Sequence, residues 1–107
     1  MAERNKPRPI IISPQAKDDI ENILSYLSLN WSQNIVEDFL QKLQLFYYIL
    51  SINPRIFGYY NKQKNIRKYA LTKQNVVYYR NKKTSVEIIT VFDARQHPRK
   101  LKPLLGK

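Results

Sequence analysis

The chain has no cysteine, so a disulfide framework, a thiolate zinc site and a thiol nucleophile are all excluded. A single histidine, His97, excludes a polyhistidine metal site within one monomer. Gly58 and Gly106 are the only glycines, too few for a loop that wraps a phosphate with backbone amides. Apolar runs are short, and the opening Met1-Ala2-Glu3-Arg4-Asn5-Lys6-Pro7-Arg8 lacks the apolar core of a signal peptide. A cytoplasmic protein without a membrane partner is therefore expected. Acidic residues are scarce in the second half. Residues 1–50 carry 5 Lys+Arg and 6 Asp+Glu, whereas residues 51–107 carry 14 and 2.

That asymmetry holds nearly all of the net charge of +11 and points to a polyanionic partner for the second half: nucleic acid, ribosome, membrane surface or an acidic protein segment. A length of 107 residues with 43% hydrophobic content fits one globular domain. Met1 to Pro9 reads as a flexible basic arm, and residues 10–107 as a single domain. Nothing in the pattern calls for a metal or a cofactor.

Ile10-Ile11-Ile12 reads as a strand, its β-branched run suited to burial on both faces. Ser13-Pro14 reads as a helix start, the serine as cap and the proline at the first helical position. Ala16, Ile20, Ile23, Leu24 and Leu27 then recur at helical spacing, with Asp18, Asp19 and Glu21 expected to be a solvated helix start favoured by the dipole. After a break at Asn30 to Ser32, Ile35, Val36, Phe39, Leu40, Leu43, Phe46, Tyr47 and Leu50 share one face of a longer helix stopped by Pro54. The short connection implies an antiparallel hairpin. From Ile66 the period shortens: 66–71, 75–80 and 86–92 read as strands, with Asn81 to Thr84 closing a hairpin. The expected fold class is α+β, a helical hairpin packed on one face of a small, mainly antiparallel sheet whose other face is at least partly open.

Basic and aromatic residues interleave after residue 55. Lys62, Lys64, Arg67, Lys68, Lys73, Tyr79, Arg80 and Arg95 are the candidates for binding a target or nucleic acid, cations neutralising phosphates and tyrosine stacking on bases. Each tyrosine also suits ordinary packing. His97 is the side chain whose unperturbed chemistry suits proton transfer. Metal-independent RNA cleavage needs a base, an acid and cations about the phosphate, and Arg67, Arg95 and His97 could supply them. Asp93 and Arg95 could instead form an ion pair that fixes the C-terminal segment.

The segments Ile12-Ser13-Pro14-Gln15-Ala16-Lys17-Asp18-Asp19-Ile20, Asn53-Pro54 with Phe57-Gly58, Asn65-Ile66-Arg67-Lys68-Tyr69, Val77-Tyr78-Tyr79-Arg80 and Ile88 to Gln96, in that order, resemble the RelE/ParE superfamily of bacterial toxins over roughly residues 10 to 101. The resemblance implies a compact βααβββ fold. It also implies the toxin role in a type II toxin–antitoxin pair, a plasmid-stabilisation type of function, with a cognate antitoxin whose C-terminal segment is acidic. Arg67, Tyr78-Tyr79-Arg80 and Ala94-Arg95 look closer to ParE, which implies inhibition of DNA gyrase without nuclease chemistry. The alternative within the superfamily is a RelE-like mRNA interferase acting on the ribosome, for which Arg67, Arg95 and His97 are the catalytic candidates. A non-toxic nucleic-acid-binding protein is the reading from outside it.

Overall fold

A computed structural model describes residues 7–106. Its elements run β1 (Ile10–Ile12), α1 (Pro14–Asn30), α2 (Gln33–Ile52), β2 (Tyr59–Asn61), β3 (Ile66–Ala70), β4 (Asn75–Asn81), β5 (Val86–Asp93), a 3-10 turn (Pro98–Lys100) and α3 (Leu101–Leu104). One sheet holds all five strands in the order β1-β5-β4-β3-β2. Only β1 and β5 run parallel; the other pairs are antiparallel. This is the expected α+β architecture with one strand more, because β2 adds a short edge that three residues of sequence could not announce.

The two helices follow their apolar stripes. Ser13 Oγ accepts from Ala16 N at 3.0 Å, and Pro14 opens the helix behind it, so the expected cap is in place. Phe39, Leu43, Phe46 and Leu50 of α2 turn inward on Val77 and Tyr79 of β4 and Val86, Ile88 and Val91 of β5. Aromatic rings fill the centre. Phe57 and Tyr69 have centroids 4.1 Å apart, and Phe46 lies 5.1 Å from Tyr69 and edge-on to Tyr79 at 6.1 Å.

The Ile triplet behaves differently from its reading. β1 is an edge strand, and Ile11 stays 51% exposed, because a strand with one neighbour and one layer of helix can bury only half of its side chains. The basic arm lies outside the described residues as far as residue 6. Arg8, by contrast, is tied down: its backbone N donates to Ser51 O at 2.8 Å and its guanidinium to the carbonyls of Lys82 and Lys83.

Between β4 and β5 the register slips: Tyr78 faces Thr90 but Tyr79 faces Ile88, leaving Ile89 as an extra residue. Such a bulge frees backbone groups and re-aims side chains. Here α1 supplies the partners. Ser13 N donates to Ile88 O at 3.0 Å, Ser13 Oγ donates to Ile89 O at 2.7 Å, and an Asp19 oxygen accepts from Val91 N at 2.9 Å and from the Thr90 hydroxyl. Asp19 is thus a half-buried carboxylate turned to the sheet, not part of a solvated helix start; it lies beyond the first turn of α1. Beyond the bulge, Ile89 and Phe92, three residues apart, reach the far side of the sheet.

That far side is partly covered as well. Ile66, Tyr78, Ile89 and Phe92 pack against Leu101 and Leu105 of the C-terminal segment, so the open face expected from two helices is narrowed by a third, short one.

Candidate functional site

Two concavities lie on opposite sides of the sheet. The first is a groove of about 600 Å³ between the helical hairpin and the end of β5. Tyr26 and Leu27 of α1, Trp31 in the connection, Ile35 and Lys42 of α2, and Asp93 and Arg95 line it. Trp31 and Tyr26 are 58% and 49% exposed, unusual for large rings that the monomer could have buried. Arg95 makes a two-pronged contact with Asp93, Nε to Oδ1 at 3.0 Å and the terminal nitrogen to Oδ2 at 2.7 Å. Asp93 Oδ1 also accepts from Arg95 N at 2.9 Å. The guanidinium holds the Asp93 carboxyl below its ordinary range, and the carboxylate in turn raises Arg95. The ion pair expected from spacing is present, and Arg95 remains largely exposed beside it.

The second concavity, about 560 Å³, opens between the β2–β3 turn and the C-terminal segment. Tyr60, Asn61 and Lys64 form one wall, Arg99 and Lys102 the other, and Ile66 and Leu105 the floor. Asn65 adopts a left-handed φ of 57° in the turn, a conformation asparagine tolerates. Its side chain donates to Asn81 O at 2.8 Å, and Arg80 Nε donates to Lys64 O at 3.2 Å, so the turn is pinned to β4. Across the cleft, His97 Nδ1 accepts from Arg99 N at 3.0 Å. The only histidine caps the 3-10 turn that carries Arg99.

The expected target-binding residues divide by strand parity. Arg67 pairs with Tyr79 and points to the helix side, where it donates to Phe57 O at 2.6 Å and Arg55 O at 3.3 Å and lies 3.9 Å from the centre of the Tyr59 ring. Tyr79 has no exposed surface and donates to Pro54 O at 3.1 Å; expected to contact a target, it is a core residue instead. Burial raises its hydroxyl to about 12 against the lowering influence of Arg67. Lys68 faces the far side beside Tyr60, at 5.8 Å. Arg80 approaches Glu87 at 3.7 Å. Lys62 and Lys64 sit in the β2–β3 turn, and Lys73 in the turn before β4.

Arg67, Arg95 and His97 are not one cluster. Between the Arg67–Tyr79–Ile88 row and the Asn75–Asp93 row lie several residues of strand and two strand spacings, on the order of 15 Å or more. Arg99 and Lys102, which sequence reasoning misses, lie beside Lys64 instead. A signal for them exists: two cations three residues apart, alternating with Leu101 and Leu104 as one turn of helix does.

Comparison with known proteins decides the family. Residues 10–98 match the family described as ParE toxin of type II toxin-antitoxin system, parDE. The chain belongs to the ParE toxin family. It is a toxin of the type II toxin–antitoxin class, and that class implies an antitoxin partner. In fold, this ParE-family chain is similar to a solved chain of the chromosomal ParDE TA system from P. aeruginosa, with a TM-score of 0.67, 12% identity, and coverage of 82% of this chain and 97% of the other. No curated protein sequence matches it. Among the described residues of this ParE-family protein, no helix is long and apolar enough to cross a membrane.

Proposed function

We propose that this ParE-family chain arrests growth by binding a target such as DNA gyrase without nuclease chemistry, and that a cognate antitoxin neutralises it. The observation carrying the non-enzymatic part is the dispersal of the cationic candidates. Arg67 directs its hydrogen bonds to Phe57 and Arg55, and Arg95 is engaged with Asp93 at the other end of the sheet. A ribonuclease needs such groups within hydrogen-bond reach of one phosphate.

The hairpin groove suits the antitoxin. Exposed aromatic and aliphatic side chains along α1 and α2 fit the apolar face of an amphipathic segment, the usual chemistry of helix-in-groove recognition, while Lys42 and Arg95 at the border are paired with Asp38 and Asp93. The basic C-terminal half is then the surface offered to the target.

The test is induction of the chain alone in bacterial cells, followed by measurement of plasmid supercoiling, gyrase–DNA cleavage complexes and messenger RNA ends. The expected result is growth arrest with gyrase inhibition and intact messages, relieved by co-expression of the antitoxin. New transcript ends on translated messages within minutes would overturn the reading in favour of a RelE-like interferase on the ribosome.

A further inference from the structure

The cleft between the β2–β3 turn and the C-terminal segment combines three properties, and the first sets it apart from the hairpin groove. First, among the described residues, Lys64, Arg99 and Lys102 line it and no side-chain carboxylate does, whereas the groove contains Asp19, Asp38 and Asp93. Among the described residues, none of those three cations has a carboxylate within ion-pair distance. Three uncompensated cations around one hollow concentrate positive potential and recruit counter-ions.

Second, an aromatic ring stands in the wall. Tyr60 keeps 39% of its surface exposed, while Tyr78 holds it edge-on at 5.1 Å. Tyr59, Tyr69 and Tyr79 of the same basic half are committed elsewhere, to Arg67 or to the core. Third, both walls are braced. Asn65 and Arg80 tie one to β4; on the other, Leu101 and Leu105 are buried and His97 caps the turn. Cations carried on a fixed backbone lose less freedom on meeting a ligand than cations on a mobile loop.

We propose that this cleft binds single-stranded nucleic acid, Lys64, Arg99 and Lys102 meeting successive phosphates while one base stacks on Tyr60. An electropositive channel with an aromatic platform is the usual physics of sequence-tolerant strand binding. An acidic peptide would satisfy the cations but leave the tyrosine without a planar partner, so nucleic acid is favoured. DNA binding at the cleft needs only this fold. Its bearing on toxicity rests on the proposed gyrase target: the toxin would engage gyrase while the enzyme holds an opened DNA strand, contacting that strand directly.

The experiment measures anisotropy of a fluorescein-labelled thymidine oligomer of about twelve nucleotides with the full chain, across a salt series. The combined variant Lys64→Ala, Arg99→Ala, Lys102→Ala is expected to lower the slope of log affinity against log salt by about two, at roughly 0.7 for each phosphate no longer neutralised. Tyr60→Ala is expected to weaken binding roughly tenfold with the slope unchanged. Removing two remote cations, Lys17→Ala and Arg55→Ala, is expected to leave the slope alone, and Arg99→Lys with Lys102→Arg to keep binding if the alanine variant proves unfolded by circular dichroism. Equal loss from the remote set would overturn the proposal by making binding diffuse. So would displacement of the oligomer by polyglutamate together with no effect of Tyr60→Ala, which would assign the cleft to an acidic protein segment. A parallel supercoiling assay with purified gyrase separates the two claims. Oligomer binding without gyrase inhibition would sink the proposed target and leave the cleft standing; gyrase inhibition unchanged in the cleft variants would overturn the role of the DNA contact in toxicity.

Discussion

The two sides of the sheet are built from the same strands, yet they are held in opposite ways. On the helix side, two long helices and a stack of aromatic rings close over Val77, Tyr79 and Val91. On the far side, the cover is a 3-10 turn and a four-residue helix anchored by Leu101 and Leu105. The long cover carries stability and leaves a groove at its rim. The short one leaves cations and a tyrosine in reach of solvent. Division of labour between a stable side and a reactive side follows from how much apolar surface each cover can bury.

The sharpest way to break the contrast is to cut one apolar side chain from each side. Phe46→Ala removes the residue that touches Tyr47, Phe57, Tyr69 and Tyr79 and is expected to cost about 3–5 kcal/mol in urea unfolding. Leu101→Ala, at the margin of the smaller cluster, is expected to cost about 2 kcal/mol. Most of its effect should appear as faster amide exchange in residues 97–105, with the helices still protected. Comparable costs and global exchange in both variants would show that the two covers unfold as one unit.

A second difference is chemical. Burial raises both Tyr47 and Tyr79, on the helix side, to about 12. The folded state therefore holds these phenolic protons more tightly than the unfolded chain does. Stability is untouched below pH 10 and declines from pH 10 to about 12, by up to about 1.4 kcal/mol per pH unit for each group. Burial raises Tyr78 in the same direction, so Tyr79→Phe, which keeps the ring and removes one titration, should lower the alkaline slope by less than half in unfolding curves taken at about pH 10 to 12. An unchanged slope would mean that Tyr79 does not ionise in the unfolded chain over that range or is not buried in the folded one.

How much of this is legible in the sequence depends on the kind of signal. The helices are readable because Ala16, Ile20, Ile23 and Leu27, and then Val36, Phe39, Leu43, Phe46 and Leu50, repeat at the period of a helix. The family resemblance is readable from the order of short motifs, none of them strong alone. The role of Asp19 is not, because it exists only where the bulge at Ile89 frees a backbone amide for it. Tyr79 and Tyr60 look alike in the sequence, and their fates differ by strand parity: Tyr79 shares its side with Val77, while Tyr60 meets Tyr78 on the other. Arg99 and Lys102 escape notice because Pro98 suggests a tail, whereas proline at the first position of a turn is also how such a turn begins.

The smallest expected effect concerns His97, the residue whose type most invites a catalytic reading. Its Nδ1 is occupied as an acceptor for Arg99 N, so it acts as a cap, the task that asparagine performs at least as well. His97→Ala is expected to cost about 0.5–1 kcal/mol and to loosen the wall that carries Arg99, weakening oligomer binding by a small factor. His97→Asn restores the acceptor but cannot shuttle a proton near neutral pH, so it should recover stability and binding together and arrest growth as the unaltered chain does. Were the asparagine variant folded, able to bind and yet harmless to cells, proton transfer would be the function lost, and the non-enzymatic account of this toxin would fall with it.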